Sequence, residues 1–406
     1  MRPSPRAATR ARAAAALAPA LAAALLTACT PGDSPAAPAP PATAEVAPST
    51  RVTAPPRADF CLVTLPQSWQ DAFRDSRLAQ EPGERWTGLS PAPDGRSAFA
   101  RVQRDGHPMT LVRQEEHGHR REVATMPDLL TFPLWAVFDG RWLVYARTDL
   151  GRAVPHGGGG AELFVWDAET GAAPRQIAGG QVAFPASLHE GKLAVTTILG
   201  KDRAELALHD LAAGTVRTVA TGPVTAVGFR GAELLWFDEA TGRLNAVGPD
   251  GTTGSPPQPD LGPRATADMT TDGRTTAWVS RDERDLTVWR PDWAAPVRVF
   301  RVTPPSPAPT AGPSLPPGAR PPTADPFHRV ASPTAVGDLV IFDYHQGWYV
   351  ADLRTGSYVR LTADHAAAVV SGSALLVDPD DTSVPPERHA YSLLRLDRLP
   401  PLPGCP

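Results

Sequence analysis

Two groups of side chains in this sequence have residue types and spacings that resemble those of metal ligands. His117 and His119 are separated by one residue, but they lie in a charged stretch that is typical of a solvated turn. Asp378, Asp380 and Asp381 offer oxygen atoms of the kind that Ca²⁺ prefers, yet the stretch lacks the ligand spacing and the glycine of a known calcium loop. We therefore assign no metal site from the sequence.

Catalytic motifs give no better support for an enzyme. The sequence contains no G-x-S-x-G elbow, no H-E-x-x-H pair and no phosphate-binding loop. The standard hydrolase, zinc-protease and nucleotide-binding classes therefore have no motif on which to rest. The sequence predicts no catalytic residue and no cofactor.

Seven similar hairpins recur along the chain and would have to position any site. In the first hairpin, Asp94-Gly95 supplies the positive backbone φ of a tight turn, and the strand that follows alternates between two faces. Successive turn glycines are separated by 45, 51, 40, 42, 64 and 35 residues. These turn glycines are Gly95, Gly140, Gly191, Gly231, Gly273, Gly337 and Gly372.

Seven repeats of this length, each with room for four short strands, predict an all-β fold, a seven-bladed β-propeller over residues 59–406. The fourth repeat is weak because five prolines between Pro249 and Pro263 make a poor outer strand. If that repeat belongs to a neighbour, the ring has six blades. Leu65, Trp69 and Phe73 lie on one face of a helical pattern and predict one short N-terminal helix.

A second motif is an apolar strand that ends in a five-residue turn from Asp to Gly, followed by a final strand. It occurs at Asp167–Gly171, Asp210–Gly214, Asp238–Gly242 and Asp352–Gly356. Together with the PDGR-x-x-AF pattern around Asp94, these turns resemble the TolB-like propeller repeats of bacterial envelope proteins over residues 86–399. The resemblance implies a propeller in the cell envelope that binds a partner. It does not imply a chemistry, since one fold hosts many functions.

Loops that join the second to the third strand of each blade, together with those between blades, form the face where propellers usually meet ligands. In this sequence those loops carry mixed charges that would suit a polar partner, although any one of them could be an ordinary solvated loop tip. The candidate binding residues are Arg104, Asp105, His107, Arg152, His156, Arg203, Arg281, Asp285 and His345.

Two cysteines at opposite ends of the body suggest how the ring closes. The chain end after the seventh repeat is too rich in proline to form a fourth strand, so we expect Asp59–Leu65 to supply it from the N-terminus. A disulfide between Cys61 and Cys405 would lock that closure in an exported protein. The alternative is two free, buried thiols.

The first 58 residues have the pattern of an exported, lipid-anchored protein. A basic start and a short apolar run over residues 1–28 predict a signal peptide. The segment that ends in Cys29 resembles the lipobox of bacterial lipoproteins, which implies lipidation of Cys29; an ordinary secretion signal is the alternative. Residues 29–58 predict a disordered Pro/Ala-rich tether, and residues 302–326 a Pro-rich surface loop.

The charge of the mature chain bears on its partners. Removal of residues 1–28 leaves 35 basic and 43 acidic residues, a formal charge of −8, which does not suit nucleic acid. We expect a monomer, held at the cell membrane by a lipid on Cys29, whose propeller is a scaffold for an envelope protein or a glycan. The alternative is a propeller enzyme, a lyase or glycosidase, which two carboxylates and a histidine clustered in the mouth of the ring would favour.

Overall fold

The computed structural model describes residues 60–149, 161–180, 182–200, 203–259, 261, 266–302, 329–362, 367–378 and 390–406. Within these residues the chain forms seven antiparallel sheets, which are the blades of a β-propeller. The predicted seven-bladed fold is confirmed, and the six-bladed alternative is wrong. The predicted signal peptide with Cys29, the tether, and nearly all of the Pro-rich loop at 302–326 lie outside the described residues.

The first four blades follow one another along the chain, each numbered from its innermost strand outwards. Blade one contains β2 (Glu84–Pro91), β3 (Ser97–Arg104), β4 (Thr110–Glu115) and β5 (Arg120–Thr125). Blade two contains β6 (Thr131–Phe138), β7 (Trp142–Asp149), β8 (Ala161–Asp167) and β9 (Arg175–Gly180). Blade three contains β10 (Val182–His189), β11 (Lys192–Gly200), β12 (Arg203–Asp210) and β13 (Thr215–Gly222). Blade four contains β14 (Val224–Arg230), β15 (Glu233–Asp238), β16 (Arg243–Val247) and β17 (Thr253–Gly254).

The last three blades depart further from the repeat. Blade five contains β18 (Thr266–Thr271), β19 (Thr276–Ser280), β20 (Asp285–Trp289) and β21 (Val297–Arg301). Blade six contains β22 (Val330–Val336), β23 (Leu339–Tyr344), β24 (Gly347–Asp352) and β25 (Ser357–Arg360). Blade seven has three strands, β26 (Ala368–Ser371), β27 (Ala374–Val377) and β28 (Ser392–Arg395). The chain before blade one forms β1 (Cys61–Leu62) and α1 (Gln67–Asp75), and a 3₁₀ turn, Leu396–Arg398, follows β28.

Turn chemistry explains why each blade begins with a hairpin. All seven predicted turn glycines adopt a positive φ, between 54° and 111°, which side chains with a Cβ rarely tolerate. In two blades the turn aspartate also forms a hydrogen bond with the next blade. Asp139 accepts one from the backbone N–H of Gly191 at 2.6 Å. Asp272 accepts one from Gly337 N–H at the same distance. The Asp-Gly pair thus makes the turn and fixes the spacing between blades.

Blade four is a shrunken but real member of the ring. Its outer strand β17 has two residues, as expected from the prolines that follow β16. The prediction for Asp238–Gly242 was wrong in one respect, because this turn joins the second strand to the third, not the third to the fourth. The motif marks a tight reversal, and the same reversal fits either end of an antiparallel blade.

The core lies between adjacent blades, where the faces of their sheets pack together. Between blades one and two, the rings of Phe99 and Phe138 lie 4.8 Å apart. Between blades two and three, Val144 and Leu163 pack with Leu193, and all three are buried. Alternating apolar residues on each strand therefore serve two neighbours, which closes a ring without a separate central core.

The predicted closure of the ring was wrong in its strand assignment. β1 does not complete blade seven; it pairs in parallel with β25 at the outer edge of blade six, with Cys61 opposite Ser357. The place beside β28 is taken by the chain just after α1, where Leu78 N–H donates to Tyr391 O at 2.8 Å and Leu393 N–H donates to Ser76 O at 3.0 Å. The N-terminal segment still closes the ring, but with later residues than predicted.

Helix α1 explains this shift, because it must bury its apolar face between blades six and seven. Trp69 is fully buried and Phe73 nearly so, in a cluster that includes Ile341 of blade six and Leu375 of blade seven. Trp69 Nε1 also donates to the carbonyl oxygen of Pro400 at 3.0 Å. The chain before the helix therefore reaches blade six, and the chain after it reaches blade seven. No helix among the described residues is both long and apolar enough to cross a membrane.

Candidate functional site

The two faces of the ring carry different connections. The loop face carries the loops that join the second strand of each blade to the third, and the opposite face, the turn face, carries the glycine turns. All described members of the predicted binding set lie in these loops or at the strand ends beside them, on the loop face. Arg152 and His156 lie outside the described residues.

In blade one, the predicted binding residue Arg104 is part of a structural ion network. Its guanidinium lies 2.8 Å from Glu84 and 2.6 Å from Glu81. Glu84 is 2% exposed and is also held by Arg120 at 2.7 Å. These bonds tie the inner strand to the outer one. Asp105 forms an ion pair with Arg85 at 2.8 Å, and the side chains of Arg104 and Asp105 both remain largely exposed.

The predicted residues of blades three and five have mixed roles. Asp285 accepts two hydrogen bonds from Arg301, at 2.9 and 3.3 Å, which join the third and fourth strands of blade five. Arg203 and Arg281 are exposed, as is His107. Exposed arginines remain available for a partner, but their blades are separate, and the structure does not gather the predicted set into one cluster.

A different group of residues comes together between blades five and six on the loop face, and we call it the mouth cluster. It consists of Asp268, Glu283, Arg329, Ser332 and Asp343. Asp268 on β18 accepts a hydrogen bond from Ser332 N–H on β22 at 3.1 Å. Glu283 forms an ion pair with Arg329 at 3.6 Å, and its carbonyl oxygen accepts a hydrogen bond from Val330 N–H at 2.9 Å. The two inner strands are therefore joined through polar groups.

The hydrogen bond between Asp268 and Ser332 depends on irregular backbone in both inner strands. The pairing of β18 with β19 shifts between Thr266 and Asp268, and that of β22 with β23 shifts between Ala331 and Thr334. An extra residue in a strand re-aims the side chains beside it. Asp268 and Ser332 both lie within such shifts, which is how one side chain can reach the backbone of the next blade.

The surroundings of the mouth cluster raise the pKa of two of its carboxyl groups. Burial raises the pKa of Asp268 to about 6, and the nearby negative charge of Glu283 acts in the same direction. Burial also raises the pKa of Asp343, against the opposing charge of Arg329. The Oδ1 atom of Asp343 is buried and has no hydrogen-bond partner among the described residues. These carboxyl groups are short of compensating positive charge.

The backbone at the same place is strained. Five non-glycine residues among those described have a positive φ. Four of them lie here, with φ between 50° and 63°: Glu283, Ser332, His345 and Gln346. His345 and Gln346 form the two-residue loop between β23 and β24, a type of loop that usually carries Asn-Gly. Strain of this kind tends to persist at functional sites.

Sequence analysis found only part of this site. His345 was predicted, and Arg281 and Asp285 flank Glu283, but Asp268, Arg329, Ser332 and Asp343 were missed. A signal was present, because aspartate is disfavoured within strands and Asp268 and Asp343 each lie in one. Nothing in the sequence shows that the two strands are neighbours.

The side chains that resembled metal ligands do not form a metal site where the structure describes them. Among the described residues, no group of three or more His, Cys, Asp or Glu side chains is arranged to hold a metal ion. His117 lies 3.3 Å from Glu116 on the turn face. Asp380 and Asp381 lie outside the described residues.

Several solved structures are similar to this chain at low sequence identity. No family model and no curated protein matches the chain. Similar solved structures include the β-propeller domain of the Trilobed protease from Pyrococcus furiosus, at 12% identity and a TM-score of 0.47 over 73% of this chain and 92% of that one. A prolyl endopeptidase is 10% identical with a TM-score of 0.49, over 82% of this chain and 51% of that chain. TolB from Acinetobacter baumannii is 13% identical with a TM-score of 0.37, over 77% of this chain.

These likenesses concern the fold alone. The chain spans about half the length of the prolyl endopeptidase and 63% of TolB. The chain is a seven-bladed propeller scaffold, and its activity has to be argued from its own residues.

Proposed function

We propose that this protein is an extracytoplasmic lipoprotein, anchored at Cys29, whose propeller binds an envelope protein through the mouth cluster. The observation that carries the binding site is the buried Oδ1 atom of Asp343, which has no hydrogen-bond partner among the described residues. Buried polar atoms in proteins nearly always have a partner, so an atom without one calls for an explanation, and a ligand would supply it. The strained loops around it support the same assignment.

The chemistry of the mouth cluster favours a basic side chain as the ligand. A lysine or arginine of a partner would place a positive charge beside Asp268 and Asp343, whose raised pKa values show that their charged forms are poorly compensated. A glycan offers only neutral hydroxyl groups and would compensate the charge less well. We therefore propose a protein partner, a monomeric propeller, and no role for nucleic acid, with a glycan as the alternative ligand.

Location is tested by changing the proposed lipidation site. Wild-type protein should partition with the membrane fraction and move into detergent, because a lipid on Cys29 and the tether would hold it there. Cys29→Ala should release the protein or leave it unprocessed. Fractionation followed by intact-mass measurement decides the matter: wild-type protein that is fully soluble and cleaved elsewhere would contradict the anchor.

Binding at the mouth is tested by photo-cross-linking in cells. A cross-linking residue at Arg281, on the loop beside Glu283, should yield one discrete protein adduct. Asp343→Asn and Asp268→Asn should reduce its yield about tenfold, since each removes a charge that a basic ligand needs. The yield should also fall between about pH 7.5 and pH 5 in isolated envelopes, as Asp268 takes up its proton.

Arg203 is the matched control for position, because it is exposed on the same face in blade three. A cross-linking residue there should not give the same adduct. An adduct that forms equally at Arg203, or that both asparagine variants leave unchanged, would show that the mouth cluster is not the binding site.

An enzyme is the second candidate, and one observation favours it. A carboxyl group with a pKa of about 6, as at Asp268, is suited to act as a general acid near neutral pH. A glycosidase would pair it with a second carboxylate, for which Asp343 is the candidate. Hydrolysis of nitrophenyl glycosides by wild-type protein, lost in Asp268→Asn, would replace the binding proposal by this one.

A further inference from the structure

The junction between blades one and two holds a second candidate binding site, which we call the Arg101 cleft. It consists of Arg101 on β3, Thr87 on β2, and Phe132 and Leu134 on β6. Strand β3 ends on the loop face, and β2 and β6 begin there, so all four residues lie in the half of their strands nearer that face. The Arg101 cleft shares no residue with the mouth cluster, which lies between blades five and six.

Arg101 is a half-buried cation that has no acidic partner among the described residues. Its Nη1 atom donates to the carbonyl oxygen of Pro133 at 3.3 Å, and its guanidinium lies over the ring of Phe132, 5.2 Å from the ring centre. Burial lowers the pKa of Arg101, and Tyr391 acts in the opposite direction. Tyr391 is neutral near pH 7, because burial raises its pKa to about 12. The charge of Arg101 is therefore uncompensated within the described part of the chain.

Arg147, another arginine beside the start of β6, shows what Arg101 lacks. It lies opposite Pro133 in the pairing of β6 with β7. Its guanidinium also lies over an aromatic ring, 4.3 Å from the centre of Phe164, and it forms an ion pair with Glu162 at 2.6 Å. Arg101 has an aromatic contact of the same kind without the acid, so a carboxylate from another molecule would complete its set of contacts.

Thr87 adds a second hydrogen-bond donor to the cleft. It lies directly opposite Arg101 in the pairing of β2 with β3, so the two side chains project from the same face of the sheet. The side chain of Thr87 is partly exposed, and its hydroxyl makes no hydrogen bond within the described part of the chain. A guanidinium and a hydroxyl on neighbouring strands can donate to the two oxygens of one carboxylate.

Apolar side chains around the cleft select the kind of carboxylate that would fit. Leu134 is 43% exposed and lies within the register shift between Pro133 and Trp135, where an extra residue re-aims the side chain. Leu129 and Leu130, in the connection that leads into β6, are each 53% exposed. A small inorganic anion would leave these side chains in water, whereas a carboxylate with apolar neighbours would cover them. Exposed apolar side chains grouped in this way mark interaction sites.

We propose that the Arg101 cleft binds a carboxylate carried by an apolar peptide segment of a partner protein. The carboxylate accepts hydrogen bonds from the guanidinium of Arg101 and the hydroxyl of Thr87. The apolar side chains beside it contact Leu130 and Leu134. A C-terminal carboxylate and a glutamate side chain offer this same chemistry, and the test separates them. The site is independent of the mouth cluster and of the basic ligand proposed for it.

The test uses the purified protein and three fluorescent peptides with the same leucine-rich sequence, and it measures binding by anisotropy. The first peptide ends in a free carboxylate, the second is amidated, and the third is amidated but carries a glutamate beside the leucines. The first or the third should bind at least about tenfold more tightly than the second, which lacks the group that Arg101 would hold. A preference for the first identifies a chain terminus, and a preference for the third identifies an acidic side chain. Equal binding of all three peptides, or binding of none, overturns the proposal.

Variants of the cleft separate this site from general attraction to the loop face. Arg101→Gln should weaken binding of the preferred peptide by at least about tenfold, and Arg101→Lys by less, because lysine keeps the charge but loses the planar fork of donors. Thr87→Val keeps the shape of the side chain and removes its hydroxyl, so it should weaken binding about threefold. Arg203→Gln is the matched control, since Arg203 is exposed on the same face in blade three, and it should leave binding unchanged.

Denaturation midpoints establish that each variant is folded before its binding is compared. If Arg101→Gln does not fold, Arg101→Lys and Thr87→Val decide the question by the same measurement. Undiminished binding by the folded cleft variants, or equal weakening by Arg203→Gln, overturns the proposal. Asp268→Asn should not change binding of these peptides, so a failure here leaves the mouth cluster untouched.

Discussion

Removal of the Cys61–Cys405 disulfide should lower the free energy of unfolding by about 3 kcal/mol, within the range that single bridges usually contribute. The bridge joins residues 344 positions apart and therefore restricts nearly the whole unfolded body. In the folded state it links β1 to the tail after the 3₁₀ turn. β1 is two residues long, so its own pairing with β25 holds it weakly.

Urea denaturation of mature wild-type protein, Cys61→Ser, Cys405→Ser and the double variant measures this contribution. All three variants should be destabilised equally, because one bridge is lost in each case, and wild-type protein in reductant should behave like them. The double variant should still fold, since α1 and the contacts of Ser76 and Leu78 close the ring without β1. A double variant with the wild-type midpoint would show that the bridge does not stabilise the fold.

The repeat and its turns could be predicted because they are local. Each Asp-Gly or equivalent turn fixes a hairpin within about ten residues, and glycine alone explains the positive φ found at Gly95 and Gly372. Blade count follows from the number of such hairpins. The same local reasoning located the helix from the buried positions Trp69 and Phe73.

The position of β1 could not be predicted, because it depends on packing across the sequence. The sequence indicated that blade seven needs an outer strand and that the N-terminal segment is available. It did not show that α1 would occupy the wedge between blades six and seven, which moves β1 to blade six. The disulfide prediction is nevertheless confirmed, because it rested on the two cysteines at opposite ends of the body and not on the blade that β1 joins.

The mouth cluster illustrates the same limit for function. The loops of the loop face could be located from the repeat, and His345 was among them. The perturbed groups Asp268 and Asp343 sit in strands, where the sequence offers only an unfavourable residue type as a signal. Their importance arises from burial and from the neighbouring blade, and neither can be read from the order of residues.

Asp268→Asn should stabilise the protein at about pH 8 by about 3 kcal/mol, because each pKa unit corresponds to about 1.4 kcal/mol. The pKa of Asp268 is about 6 in the folded protein, against an ordinary value of 3.8 in the unfolded chain. Its contribution to stability is therefore fully present below about pH 4, where both states are protonated, and is lost as the pH rises through about 6. Asparagine keeps the hydrogen bond from Ser332 N–H and carries no charge, so the variant should escape this loss.

Asp250→Asn provides a control of opposite sign. Hydrogen bonds from the side chain and backbone of Thr252 lower the pKa of Asp250, so its contribution is present at neutral pH and lost as the pH falls through its folded pKa. This variant should be less stable than wild type at about pH 8 and equal to it in acid. Denaturation midpoints test the pair, from about pH 4 to pH 8 for Asp268→Asn and from about pH 2 to pH 8 for Asp250→Asn, whose folded pKa lies below 3.8. If Asp268→Asn stabilises the protein equally at about pH 4, the gain comes from packing and not from removal of a buried charge. The argument that the mouth cluster binds a basic side chain would then fail.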